Sequence, residues 1–566
     1  ATMANAIHGS GSLTKTGPGT LDYVGNGSLN GPTMVAQGTL AVNGSLGNSA
    51  VTVAGGATLA GNGTVGTTTV AAGGTVSPGN GGIGTLTVNG HFTQAAGSMY
   101  QVQVAPGTQA SDRIDVLGSA DVSGGTLAVA RTSAGRYALD TKYAVLHATG
   151  GVNGTYGQVI GDTRTAFVQL KDSYDANHVY LTAELYRSFA SAGGTRDQMA
   201  TGLALDHLSP DSALANALAW LPNDAAARAA FDQLSGDIHA SVKSATVEDS
   251  RFVREAALLR LRAADCAPGA GALPARSSTQ HAGTDADGAT CTPAGNERVV
   301  WGQSFGSWGR MAGDGNPQRI DRDIGGFFVG ADTALAGGWR AGALGGYSRS
   351  TMDSHGRGNA KTDSYHLGLY GGNTWGATSL RLGAAHAWNK LDTHRSVFFS
   401  GYGDAASAKY DSRTAQLFGE VGHRIDLGGT AVEPFAQLAH VRLSGDGFNE
   451  RGGLAALHGG GDGFSSTFAT LGVRSTAQLG SRTRLTGMLG WRHAFGDTVP
   501  ASTHAFAGSL ASFTVGGVPL ARNVAVLEAG VEAELAPKLT LGASYAGQFG
   551  SGLRDHGFKL NLAYRF

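Results

Sequence analysis

The chain has 566 residues, enough for two or three domains. Glycine supplies 90 of them, roughly 16% against a usual ~7%, while charged residues make up only 15% against ~25%. The low charge excludes a solvating disordered tail, the missing Gly-X-Y period excludes collagen, and a net charge of −1 gives no electrostatic case for a nucleic-acid partner. Two cysteines exclude a disulfide-stapled scaffold and a cysteine-rich metal protein. No run approaches the ~20 apolar residues of a membrane helix. A barrel strand needs only ~10 residues, apolar at alternate positions, so a mean hydropathy of −0.08 suits a soluble protein or an outer-membrane barrel. No signal peptide is visible: Ala1 opens directly into Gly/Asn-rich sequence, and an exported protein of this kind is expected to be a processed or truncated piece.

Residues 1 to about 186 read as nearly all β. Short apolar triplets recur between Gly/Asn turns, as in Gly38-Thr39-Leu40-Ala41-Val42-Asn43-Gly44, Val51-Thr52-Val53 and Gly84-Thr85-Leu86-Thr87-Val88-Asn89-Gly90. Strands of three residues cannot enclose a core alone, but stacked as rungs of a parallel solenoid each covers the next. The pieces lengthen and aromatics rise from about residue 91, which predicts a module that seals the open end of the stack over 91–190. The solenoid proper is placed at 1–90.

Periodicity then switches from 2 to 3.6 in a helical linker over 191–296. Ser209-Pro210 is a cap with proline at the first helical position, and Leu214, Leu218 and Leu221 share one helix face. Asn223 is a further candidate cap before a helix over Ala225–Leu234, ended by Ser235-Gly236. Residues 237–264 read as a single helix of about 28 residues, hence roughly 42 Å, with a mixed polar surface and no broad apolar stripe. Residues 265–296 are rich in Pro, Gly, Thr and Ala and carry Cys266 and Cys291.

Over 297–566 the alternation is regular. Phe558, Leu560, Leu562, Tyr564 and Phe566 share one face of the closing strand; Lys559, Asn561, Ala563 and Arg565 share the other. The same split assigns Leu471, Leu527 and Leu562 to lipid and Arg474, Glu528 and Lys559 to a lumen, with Leu527 placed near mid-membrane. About twelve strands are expected, with midpoints near 305, 328, 345, 368, 385, 417, 437, 472, 489, 528, 544 and 562. Short turns follow the even strands, as at Ala336-Gly337-Gly338 and Trp375-Gly376. Long polar loops near 394–408, 445–463 and 498–519 follow odd ones. An even strand count, loops of unequal length on the two sides and polar/apolar alternation define an outer-membrane barrel. Trp339, Tyr347, Tyr365, Trp388, Trp491 and Tyr545 sit where aromatic girdles belong. A soluble sandwich with one polar face needs no such loop asymmetry. The fold class is therefore all-β with a helical linker: a right-handed parallel β-helix stalk, then a 12-stranded antiparallel transmembrane barrel over 297–566.

The closing Tyr564-Arg565-Phe566 resembles the terminal signal read by the barrel-assembly machinery, with Asn561 where glycine is favoured. Tyr365-His366-Leu367-Gly368-Leu369-Tyr370-Gly371 and Gly490-Trp491-Arg492-His493-Ala494-Phe495-Gly496-Asp497 resemble the translocator barrel of monomeric (type Va) autotransporters. The stretch from Gly11 to Leu21 and Thr75-Val76-Ser77-Pro78-Gly79-Asn80 resemble that family's passenger-associated transport repeat. The resemblance implies secretion and surface display of the protein's own passenger polypeptide, with residues 81–186 acting as an autochaperone and the 237–264 helix left as a lumenal plug. It implies outer-membrane lipid, the assembly machinery and periplasmic chaperones as partners. On the topology it implies, the linker is periplasmic, and Cys266 and Cys291 are expected to form one disulfide in that oxidising compartment. Loss of Phe566 is expected to impair assembly.

Enzyme motifs are weak. Gly61-Asn62-Gly63-Thr64-Val65-Gly66 fits the dinucleotide fingerprint, but no helix pattern follows it. There is no GxSxG, HExxH, Walker or EF-hand motif. No catalytic residue, metal ligand or cofactor is therefore expected. Arg340, Arg381, Arg424, Arg474 and Arg492, with Glu420, Glu528 and Glu532, are expected to line a wet lumen and to meet the charged helix; Arg484 and Glu433 join them. The alternatives are a barrel enzyme of phospholipase or protease type and a β-helical adhesin with this chain as its stalk. Some family members cut their lumenal helix by cyclisation of an asparagine; 237–264 contains none.

Overall fold

The computed structural model describes residues 1–566 except 134, 210, 266, 269–297, 429, 480–481, 537–538 and 566. Both cysteines' pairing and Phe566 thus lie outside the described residues. The chain forms two compact units, Ala1–Ser188 with Leu218–Asp224, and Phe189–Ala217 with Ala225–Phe566.

The first unit is a stack of parallel rungs. Leu21, Leu40, Leu59, Val76, Tyr100, Leu127 and Val159 stand in register on successive strands. Leu40 through Leu127 in that column are fully buried. A second column holds Val65, Val88, Val116 and Ala148. Each triplet thus places its inward side chain on the one before, which is what strands too short for their own core require. Parallel pairing continues to Gln158–Gly161, so the boundary drawn near residue 90 leaves no mark in the ladder. The stack is closed by an antiparallel hairpin, Val168–Tyr174 and His178–Leu185, paired onto Lys142–Ala148. The Gly61–Gly66 motif is a rung turn: Gly61 has φ +113, and a Cβ there would lie 2.1 Å from the Val42 carbonyl oxygen.

Asp112 is buried in this stack and accepts from the Gly84 and Gln103 amides at 2.9 and 2.8 Å. Burial pushes its carboxyl up to about 6. A raised carboxyl pKa means the folded state holds the proton more tightly than the unfolded chain, whose value is ~3.9. Its contribution therefore favours the stack below about 4 and is lost as pH rises through about 6. Urea unfolding of the stack should show a higher midpoint at pH 5 than at pH 7, and Asp112→Ala should flatten that difference.

The second unit carries α1 (Arg196–Leu205), α2 (Ala213–Ala219, whose last two residues belong to the first unit), α3 (Asp224–Leu234), α4 (Ile238–Asp249) and α5 (Arg251–Ala264). The barrel strands follow: Val299–Met311, Ile320–Ala334, Arg340–Asp353, Gly358–Trp375, Thr378–Phe399, Tyr402–His423, Thr430–Gly445, Phe464–Gln478, Thr483–Phe495, Asn523–Ala536, Leu539–Gly550 and Leu553–Arg565. Neighbours pair antiparallel throughout, and the first strand pairs the last, Val299 opposite Arg565, so no edge stays open. Every expected midpoint falls inside one of these strands.

Leu560 is 53% exposed on the outer surface while its neighbour Lys559 is 6% exposed toward the lumen, and Leu471 and Leu562 also face out. Leu527 is half-buried, one hydrogen-bonded pair from the Trp491–Ala525 pair that marks the aromatic belt. It is a poor midplane position, contrary to expectation. Tyr347, Tyr365 and Trp388 are cross-strand neighbours on the outer face, and Trp339 and Trp375 meet at 6.0 Å near the short turns. Ten residues separate Tyr365 from Trp375, roughly 33 Å of strand and, at ~40° tilt, the ~25 Å of an apolar band.

The long loops depart from expectation. Residues 394–408 are strand apart from Ser400–Gly401 at the turn. Leu391, Thr393, Arg395 and Val397 still alternate inward. Their outward neighbours Asp392, His394 and Ser396 are polar because the strand there has left the membrane, which erases the apolar alternation that marks a lipid-facing strand. Segments of the other two loops, Phe448–Asn449, Leu457–Gly459, Ala501–Phe506 and Ser512–Gly516, form a separate four-stranded sheet.

Candidate functional site

The lumen is occupied by α4 and α5. The single helix expected over 237–264 is two helices meeting at Ser250, which keeps helical dihedrals of −59° and −17°. The ladder breaks there because Ser250 Oγ bonds back to the Val247 carbonyl at 2.7 Å while Gln416 on the barrel wall takes the Ser250 carbonyl at 2.8 Å. Together α4 and α5 run roughly 40 Å.

At the short-turn end, Arg260 forks onto Asp332 at 2.6 and 2.9 Å, and Asp332 also accepts from Arg340 at 2.5 Å. At the same end, Glu420 accepts from Arg381 at 3.0 Å, from Arg262 at 3.3 Å and from Arg474. Glu433 accepts from the same Nη1 groups of Arg381 and Arg474 that meet Glu420, at 2.9 and 3.1 Å. At mid-lumen Arg492 forks onto Glu248 at 2.8 and 3.0 Å, and Lys559 meets Glu255 at 2.8 Å and Glu528 at 3.4 Å. Arg322 pairs with both Asp249 and Asp555.

At the long-loop end, His239 of α4 stacks on Phe448 at 3.8 Å and bonds Glu450 at 2.9 Å. Arg395 forks onto the same carboxylate at 2.7 and 2.6 Å. Burial raises the Glu450 carboxyl, but Arg395 and His239 outweigh this and hold it below the usual range. Burial pushes the His504 imidazole down to about 3, so it is neutral and its Nε2–H donates to the Ser235 carbonyl at 2.7 Å. The small loop sheet also grips the helix through its backbone: Val518 N–H donates to Ser241 Oγ at 3.1 Å, and a Cβ on Gly517 would lie 2.4 Å from the Ala240 carbonyl carbon.

Of the residues singled out in the sequence, Arg340, Arg381, Glu420, Arg474 and Arg492 come together in these layers, and Glu528 joins through Lys559 and Ser544. Glu532 is buried on the lumenal side opposite Arg484. Arg424 lies past the end of its strand, partly exposed at the short-turn rim, with Asp426 at 2.8 Å; the chain leaves regular pairing at His423, so parity no longer sets its direction. Tyr564 faces outward on the last strand. Sequence reasoning missed Arg322, Asp332, Asp555 and Glu450. Asp555 shares the parity of Lys559 and was open to discovery on that ground; Glu450 lies in a loop, where parity says nothing. Glu420, Glu433, Asp332, Asp555 and Glu248 are all committed to arginines, an arrangement that anchors a helix rather than activating a water. Among the described residues no group of three or more His, Cys, Asp or Glu side chains could hold a metal ion.

Residues 300–546 match the family described as Autotransporter beta-domain. Over 620 aligned positions the chain is 33% identical to an extracellular serine protease of Serratia marcescens, covering all of this chain and 56% of that protein. It is 32% identical over 193 positions to the pertactin autotransporter of Bordetella parapertussis, covering 33% of this chain and 20% of that one. The chain spans about half the length of the Serratia relative. Among solved structures it is similar to the translocator domain of autotransporter NalP from Neisseria meningitidis, with 19% identity, a TM-score of 0.41 and coverage of 48% of this chain and 89% of that one. The C-terminal barrel is an autotransporter beta-domain of the outer membrane.

Proposed function

We propose that the barrel carries its own passenger polypeptide across the outer membrane and retains α4 and α5 in the pore once transit ends. The observation that carries this reading is the threading itself. The helix pair enters at the long-loop mouth under the loop sheet, and its C-terminal end is fixed at the short-turn side through Arg260 and Arg262, the side from which the first strand at Val299 starts. A chain that runs through its own barrel in this direction is the end state of export through it. Residues 81–186 would reach the surface early and template the upstream rungs, because every rung covers the exposed edge of the last. The hairpin closing the stack at 168–185 suits that role. Barrel-assembly machinery reading Tyr564 and Phe566, and periplasmic chaperones, complete the set of partners. A hydrolytic activity like that named for the Serratia relatives belongs, on this reading, to passenger sequence outside this chain.

Deleting residues 238–264 should raise single-pore conductance in planar bilayers by several-fold, since these two helices occupy the mid-lumen. An unchanged conductance would refute the plug. The passenger should also stay joined: 237–264 offers no asparagine for cyclisation, and its acids are held by arginines and by Lys559. Intact-mass measurement of residues 1–566, expressed in a membrane without surface proteases, should return the full chain. A clean break between 237 and 264 would count against it.

A further inference from the structure

Toward the long-loop mouth the outer face carries an aromatic belt. Tyr347 meets Tyr365 at 5.5 Å, Trp308 meets Phe558 at 5.8 Å, and His493 lies between Trp491 and Phe495 at 5.5 and 4.6 Å. The sixth, seventh and eighth strands interrupt it. Their outward residues at that height are Arg413 and Ala415, His440 and Arg442, and Thr467 and Ala469. Arg413 stands opposite Trp388 on one side and Ser444 on the other. Arg442 follows on the next strand, opposite Ala415 and Ser465. With strands tilted by ~40°, a given height moves down by about one residue per strand. That brings Arg413 and Arg442 level with Trp388, and Lys390 stands one outward step above it. All three cations are exposed. None makes an ion pair within 4.0 Å among the described residues. The acids around them are engaged: Asp363 by Arg349 at 2.7 Å and Asp392 by Lys409 at 3.4 Å. Asp411 stands opposite Lys390 and balances it, which leaves the two arginines in excess. The first and last strands differ. There Arg310 and Arg554 face each other, but Asp321 stands opposite Arg310 and the belt continues beneath them as Trp308 stacked on His556.

We propose that Arg413 and Arg442 bind the phosphate of an anionic lipid of the outer leaflet, at the place where the aromatic belt is open. Long loops mark the extracellular side of such a barrel, and aromatic belts lie at headgroup level, so the two guanidinium groups face the phosphate layer of that leaflet. Each fork matches two phosphate oxygens. Ser444 and Ser465 are exposed, each opposite one of the arginines, and supply hydroxyl donors. The strip below suits a lipid rather than a free phosphate. The small Ala415 and Ala469 leave a shallow track there, and it runs onto Leu417, Leu438 and Leu471, which are 66%, 57% and 52% exposed. An acyl chain lies along that track while the headgroup takes the position that a belt ring holds on the other strands.

The probe is lipid A, a phosphorylated glycolipid. The full chain in dodecyl maltoside micelles, titrated with it and weighed by native mass spectrometry, should retain lipid A more tightly than lipid A stripped of its phosphates. Arg413→Gln combined with Arg442→Gln, checked for a folded barrel by heat-modifiable migration, should weaken binding by about tenfold or more. Arg310→Gln combined with Arg554→Gln removes the same charge elsewhere on the rim and should leave binding unchanged. Excess inorganic phosphate should not displace the lipid. Full retention by the first variant, an equal loss in the second, no preference for the phosphorylated form, or displacement by inorganic phosphate each overturns the proposal. The wild-type comparison of the two lipids decides even if a variant fails to fold.

Discussion

Glu420→Ala should destabilise the barrel by about 3–5 kcal/mol, the cost of breaking a buried ion pair from one side. The carboxylate is 1% exposed and holds three guanidinium groups, one from α5 and two from the wall. Without it Arg381 and Arg474 keep Glu433, while Arg262 loses the carboxylate it is hydrogen-bonded to. Glu420→Gln keeps the volume but not the charge and should fall in the same direction. Removing Arg262 as well should recover part of the loss, because a network stripped of both partners no longer strands a charge. Urea unfolding in detergent, read by loss of the heat-modifiable band, measures this. A loss under about 1 kcal/mol would mean that water screens the layer as it screens a surface pair.

Leu369→Arg should cost ~2–4 kcal/mol, as for arginine at the bilayer midplane. Leu369 is 64% exposed and lies between the Tyr365 belt and Trp375 on the same strand. The next residue, Tyr370, faces the lumen and bonds Trp301 and Asp332 at 2.7 and 3.2 Å. Leu510→Arg is the control. Leu510 is even more exposed but sits in a loop that water already covers, so its change should stay within about 0.5 kcal/mol. A soluble sandwich would tolerate arginine at both positions. Equal tolerance in a lipid-reconstituted sample would therefore refute the assigned membrane span.

The barrel was legible because a strand in hydrocarbon obeys one rule. Period-two alternation from Phe558 to Tyr564 states which side is lipid, and twelve such segments state the closure. The solenoid was legible for a related reason: triplets such as Val51-Thr52-Val53 have no core except the rung below. The lumenal helix was visible as a change of period, and its mixed polarity as a sign of polar surroundings. Other features depend on atoms far apart in sequence. Arg262 finds Glu420 158 residues away, and His239 finds Glu450 211 residues away; neither partner carries a local pattern. The break at Ser250 depends on Gln416 reaching its carbonyl, which no helical periodicity encodes. The strands beyond the membrane read as loops because their outer faces meet water on the same terms as a loop does. Sequence alone thus determined which faces meet lipid, lumen and the next rung, since solvent acts on each residue where it stands. Only the tertiary structure decided which charges pair across the lumen, since pairing depends on distances that closure of the barrel creates.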